Sequence, residues 1–172
     1  AEIVRVVPAA AVERLKEVPL HFSPAYPGKR SGAEYHPDAG WLRSNGRDPA
    51  MARGVEFSGV ADFEAETRRM PNFVLHELAH AYHDQVLGFD EPRVVAAWER
   101  FRADERFRSV LTSPGGRREH YGRTDASEFF AEMSESYFGS NDFYPFVAGE
   151  LEEADPQTFA LLAEIWGPLP GR

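Results

Sequence analysis

The chain has 172 residues, about the size of one globular domain, and it is 42% apolar with 13 Phe, 6 Tyr and 3 Trp, enough large side chains to fill an interior and to exclude disorder. A formal charge of −9 argues against a nucleic-acid surface, which needs clustered Lys and Arg to displace counterions. There is no cysteine, so disulfides and thiolate sites are excluded and any metal must be held by His, Asp, Glu or water.

Residues 2 to 7 alternate and are β-branched, which predicts a strand, and Ala9 to Val18 follows Pro8 as a short helix. From Pro19 to Asn45 the chain is dense in Pro, Gly and Ser, with short strands expected at Leu20 to Ser23 and Ala33 to His36. Gly54 to Gly59 is an alternating run between glycines and reads as a strand at the rim of a sheet. Pro71 opens a helix through Leu87, ended by Gly88, with Leu75, Leu78, Tyr82 and Val86 as its buried stripe. Pro92 starts another, with Val94, Trp98 and Phe101 at helical spacing.

Ser113-Pro114-Gly115-Gly116 breaks the chain before a helix over about 126 to 138, where Asp125 and Glu128 are spaced as a capping box and Gly139 ends the run. Two more helical patterns, about 145 to 154 and 157 to 166, close the chain. The expected fold is α+β, a single domain over 1–172 with a small, mostly antiparallel sheet and a largely helical second half. No apolar run approaches the roughly 20 residues of a membrane span. The start Ala1-Glu2-Ile3-Val4 lacks the regions of a signal peptide. Because the sequence does not begin with Met, a removed leader or neighbouring domain stays open, and the compartment is not assigned.

His76-Glu77-Leu78-Ala79-His80 matches H-E-x-x-H in a helical setting. Residues four apart stand one turn above each other, so His76 and His80 can grip one Zn2+ from the same face. Glu77 points about 100° away, where it can serve as general base to the attacking water without being a ligand. A catalytic site needs a third protein ligand. His83 lies about 10 Å along the helix from His76, too far for bonds near 2 Å, and reads as a partly buried neighbour. The acidic stripe Asp125, Glu128, Glu132 and Glu135 supplies better candidates, although spacing alone does not choose between Glu128 and Glu132.

The stretch Tyr121-Gly122-Arg123-Thr124-Asp125-Ala126-Ser127-Glu128-Phe129-Phe130-Ala131-Glu132 resembles the segment after the zinc helix in the protease domain of the anthrax lethal factor family, a gluzincin metallopeptidase family. The resemblance implies that Glu128 is the third zinc ligand, that Tyr121 is the transition-state tyrosine facing the catalytic Glu77, and that Glu132 is an outer partner orienting a ligating histidine. It covers about a tenth of the chain. The stretch from about Tyr35 to Trp166 is also similar to small zincin-like domains whose substrates are no guide. The implied function is hydrolysis of a peptide or protein substrate with one zinc per chain. The peptide would be held by strand addition along Val55, Glu56, Phe57 and Ser58. Two rivals stand beside it: a zinc-binding module without turnover, and a zinc hydrolase of a non-peptide amide.

Overall fold

The computed structural model describes residues 2–170, and its architecture is α+β. It begins with two short helices, α1 (Glu2–Val6) and α2 (Ala9–Leu15). The strand expected over residues 2 to 7 is thus corrected to a helix, with the Val7 N–H donating to the Ile3 carbonyl at 2.9 Å. Ile3, Val6 and Val7 meet the core. Their spacing of three and four suits one face of a helix as well as alternation suits a strand, and tertiary packing decides between them.

Strands β1 (Leu20–Ser23), β2 (Gly32–His36) and β3 (Gly54–Ser58) form a sheet in the order β1-β3-β2. The β1–β3 pair is parallel and the β2–β3 pair antiparallel, so the main sheet is mixed where a mostly antiparallel one was expected. The rim position expected for β3 is likewise corrected, because β3 is the middle strand and Gly54 to Phe57 are all buried. Gly54 is required by crowding. A Cβ there would stand 2.8 Å from the His21 ring and 2.9 Å from the Pro19 carbonyl oxygen.

Between β2 and β3 lies α3 (Ala39–Ser44), capped by Asp38, which accepts from the Gly40 and Trp41 N–H groups. Helix α4 (Phe63–Arg69) leads to α5 (Phe73–Tyr82), which carries the H-E-x-x-H motif. The helix expected through Leu87 changes character at His83, where residues His83–Leu87 form a π-turn that ends at Gly88 with φ of 87°. Leu75, Leu78 and Tyr82 are buried as expected, but Val86 is 42% exposed and leaves the stripe. The wider π-turn rotates it outward.

The second half is mostly helical: α6 (Pro92–Ala103), α7 (Ala126–Phe138), α8 (Ala148–Ala154) and α9 (Pro156–Trp166). A small hairpin of β4 (Val110–Leu111) and β5 (Arg117–Arg118) encloses the Ser113–Gly116 turn. One apolar cluster joins Val12, Phe57, Leu75, Phe101, Phe129 and Trp166, and α7 runs through its centre. Residues 1, 171 and 172 of the expected domain lie outside the described residues. Among those described, no helix is long and apolar enough to cross a membrane.

Candidate metal centre

Helix α7 is buried on every side from Phe129 to Phe138, so its polar residues must find partners inside the protein. Ser134 donates to the Phe130 carbonyl and accepts from the Trp166 indole, and Ser136 donates to the Pro145 carbonyl at 2.7 Å. Asp125 caps the helix by accepting from the Ser127 and Glu128 N–H groups, each at 2.9 Å. The reciprocal half of the expected capping box does not form. Glu128 turns instead towards α5, where its Oε2 lies 3.1 Å from His76 Nε2 and 3.5 Å from His80 Nε2.

The two imidazoles stand edge to face with centroids 4.7 Å apart, as residues one helical turn apart allow. His76, His80 and Glu128 can each offer one ligand atom with all three within 4.8 Å of one another. Bonds near 2.0–2.1 Å at the tetrahedral angle hold ligand atoms about 3.3 Å apart. The 3.1 and 3.5 Å separations from Glu128 Oε2 to the two histidines bracket that value, so these two of the three ligand pairs are spaced as a tetrahedral ion would need. Both Nδ1 atoms point the other way. His76 Nδ1 lies 2.7 Å from Glu135 Oε1, and His80 Nδ1 lies 2.7 Å from Ser127 Oγ.

Burial opposes charge on both sides of the cluster, yet pairing outweighs it at the centre. Despite desolvation, hydrogen bonds from His76 and His80 hold the Glu128 carboxyl well below the ordinary carboxylate range. Desolvation also opposes a charged His76, but Glu128 and Glu135 raise it well above its ordinary value. Burial first, then the Glu135 charge, pushes Glu132 up to about 8; the His76 charge and a hydrogen bond from Asn141 pull the other way but do not prevail. The Glu132 Oε2 is buried without a hydrogen-bond partner. Glu132, to which resemblance assigned the outer role, has its nearest oxygen 3.8 Å from His76 Nδ1, whereas Glu135 is at 2.7 Å.

A cleft of about 560 Å³ opens on this cluster, lined also by Glu77, Tyr121, Tyr35, Met70, Phe73 and Phe143. Glu77 Oε2 accepts from the Tyr35 N–H of β2 at 2.8 Å, which ties the motif helix to the sheet. The Tyr121 hydroxyl donates to Glu128 Oε1 at 3.2 Å. Burial, followed by the Glu128 charge, pushes this phenol up to about 12, so it keeps its proton through neutral pH. Strand addition along Val55 to Ser58 is corrected, because both edges of β3 are already paired and Val55 to Phe57 are buried. The strand that meets the cleft is β2, through Ala33, Glu34 and Tyr35.

His83 is fully buried between Phe89 and Phe130, with both ring nitrogens unpartnered, and it belongs to neither metal-competent group among the described residues. Sequence reasoning missed Ser127, Glu135 and Tyr35. Glu135 was visible as a member of the acidic stripe but not as the partner of one nitrogen. Ser127 sits next to Glu128 without any pattern of its own, and Tyr35 contributes only a backbone amide. No protein-family model matches the chain, and no curated protein or solved structure matches it either.

Proposed function

We propose that the chain is a zinc-dependent peptidase of the gluzincin type on a zincin-like fold. The observation that carries this reading is the convergence of His76 Nε2 and His80 Nε2 on Glu128 Oε2 at separations that suit a tetrahedral ion, with Glu77 and Tyr121 in the same cleft. Zinc held by these three residues would supply Lewis-acid polarisation of the scissile carbonyl and acidify a water beside it.

The remaining work falls to side chains and backbone. Glu77, with Oε2 held by the Tyr35 amide, takes the proton of the attacking water and passes it to the leaving amine. Tyr121, kept protonated, donates to the developing oxyanion. The free edge of β2 holds the peptide. Tyr35 turns its N–H away from β3, and Ala33, two residues back, shares that orientation and lines the cleft, so its N–H and C=O are available to an added strand.

The test begins with elemental analysis after zinc reconstitution at neutral pH and continues with a peptide-library screen. One zinc per chain and cleavage are expected, and less than about a tenth of an equivalent would sink the site. Glu77→Ala should keep zinc and fold yet lose most cleavage. Tyr121→Phe should keep zinc and lose a factor of roughly 10 to 1000 in kcat with little change in KM. Zinc binding with no cleavage of any peptide would replace this proposal with one of its rivals.

A further inference from the structure

His76 is the one side chain of the cluster that carboxylates grip at both ends. Its Nε2 meets Glu128 at 3.1 Å and its Nδ1 meets Glu135 at 2.7 Å. Those two glutamates are seven residues apart on α7, two turns or about 10 Å along the axis, so the ring spans the gap between them. Glu132, midway along the same stripe, comes no closer than 3.8 Å. His80 repeats the arrangement with a neutral partner, Nε2 towards Glu128 at 3.5 Å and Nδ1 against Ser127 Oγ at 2.7 Å.

A neutral imidazole carries its proton on one nitrogen and offers a lone pair on the other. The partner of the first nitrogen selects which is which. A carboxylate only accepts, so when Nε2 is given to a metal ion Glu135 holds the remaining ring proton on His76 Nδ1. A serine hydroxyl can donate or accept, and in the accepting sense Ser127 does the same for His80. Both partners are fixed in place. Glu135 is 7% exposed, and the Ser127 N–H is held by the Asp125 cap.

We infer that Glu135 and Ser127 are the positioning residues of the metal centre, each fixing one histidine as its Nδ1–H tautomer, and that Glu132 has no such part. The inference rests on the zinc-peptidase reading. It goes further by making α7 the source of the third ligand and of both outer partners, so that one helix sets the affinity of the two histidines on the other.

The experiment is zinc affinity by chelator competition on the full chain, with the imidazole N–H protons followed by NMR in the zinc-loaded protein. The wild type should show two slowly exchanging Nδ1–H resonances. Glu135→Ala should lose the His76 resonance and weaken zinc roughly 10- to 100-fold. Ser127→Ala should lose the His80 resonance and weaken zinc about 10-fold, since a neutral acceptor bonds more weakly than a carboxylate. Ser127→Thr, which keeps the hydroxyl, should restore both readouts. Glu132→Gln should leave affinity within about threefold and both resonances in place. If Glu135→Ala does not fold, Glu135→Gln decides, because its carbonyl still accepts and should preserve the resonance with a smaller affinity loss.

A Glu135 variant that binds zinc like the wild type, or a Glu132→Gln variant that loses more than Glu135→Ala, would overturn the inference. So would a second zinc equivalent that disappears with Glu135 while the first remains, which would reassign His76, Glu132 and Glu135 to another cation. Failure of the wild type to bind any zinc strikes the functional reading itself. Zinc binding that is insensitive to these variants strikes only this step.

Discussion

Two clusters of buried His and Glu side chains lie in this molecule, and they are built to opposite ends. In the first, on β3, Glu56 takes a hydrogen bond from Ser23 and one from Tyr26 at 2.6 Å on Oε1, and meets His36 at 2.9 Å and Arg47 at 2.8 Å on Oε2. Burial would raise Glu56, but these partners together hold it down at about 2. The Arg47 guanidinium is covered in turn by the Tyr26 and Trp41 rings. Both Glu56 oxygens are thus partnered, and Arg47 Nε is the buried polar atom of this set left without a partner. In the second, Glu128, Glu132 and Glu135 face two imidazoles, Glu132 is forced towards its neutral form, and one of its oxygens has no partner. A buried set with surplus negative charge is one that a divalent cation would relieve. Charge balance separates the two: Glu56 is matched by a guanidinium at 2.8 Å, whereas the three glutamates on α7 face only imidazoles.

The largest expected effect breaks the Glu56 cluster. Glu56→Ala leaves Arg47, whose side chain is 8% exposed, with only the half-exposed Glu34 at 2.6 Å and strips Ser23, Tyr26 and His36 of their acceptor, and should cost about 3 kcal/mol in denaturant unfolding while zinc affinity stays within about threefold. Glu128→Ala should do the reverse, removing tight zinc binding while costing the zinc-free protein much less, because His76 keeps Glu135. A large loss of zinc affinity in Glu56→Ala would show that the clusters are coupled through the sheet and not independent.

A smaller effect concerns two buried histidines outside the proposed ligand set. His83 is lowered to about 4 by burial and then by the charge of His80, against the opposing charges of Asp84, Glu91 and Asp125. His120 is lowered to about 3 by burial and then by Arg123. Its Nδ1 accepts from the Gly122 N–H at 3.0 Å. With folded values below the unfolded one near 6.5, the unfolded chain takes up these protons first as pH falls. Their contribution to stability is therefore full above about pH 6.5 and is lost on acidification towards pH 4 and 3, by roughly 2 to 4 kcal/mol in total at pH 5. Urea unfolding of the zinc-free protein between pH 7 and 5 measures this. His83→Phe and His120→Phe should each flatten the slope, and an unchanged slope in both would assign the acid sensitivity to other groups.

The same contrast marks what the sequence made legible. Local signals carried their elements: the Asp125 cap and Gly139 stop bound α7, Pro92 opens α6, and β1 and β2 fall where alternation puts them. His76 and His80 share one helix and a spacing of four and could be named from that, whereas Glu128 was named through the resemblance, because spacing left it level with Glu132. Properties that depend on distant partners stayed hidden. Glu56 made β3 look half polar and hence peripheral, since Ser23, His36 and Arg47, which satisfy it at the sheet's centre, lie elsewhere in the chain. For residues 2 to 7, two periodicities fit one set of apolar positions. The choice of Glu135 over Glu132 turns on about an ångström across α5 and α7, which no helical spacing resolves.

The smallest expected effect separates β2 from β3 as the strand that receives a peptide. If a substrate adds to β2, the Ala33 N–H and C=O each gain one partner, and a hydrogen bond of this kind contributes about 1 kcal/mol net. Methylating the one peptide amide that meets the Ala33 carbonyl should therefore raise KM roughly fivefold and leave kcat nearly unchanged, because the contact is as good in the ground state as in the transition state. Ala33→Pro supplies the reciprocal change. It removes an N–H that faces the cleft and makes no ladder bond to β3, and proline is tolerated on an edge strand for that reason. The variant should fold with stability near that of the parent and show a similar rise in KM. Methylation scanned along a good substrate with no sensitive position, together with an unaffected Ala33→Pro, would remove strand addition from the account and leave side-chain pockets in the cleft as the means of holding the substrate.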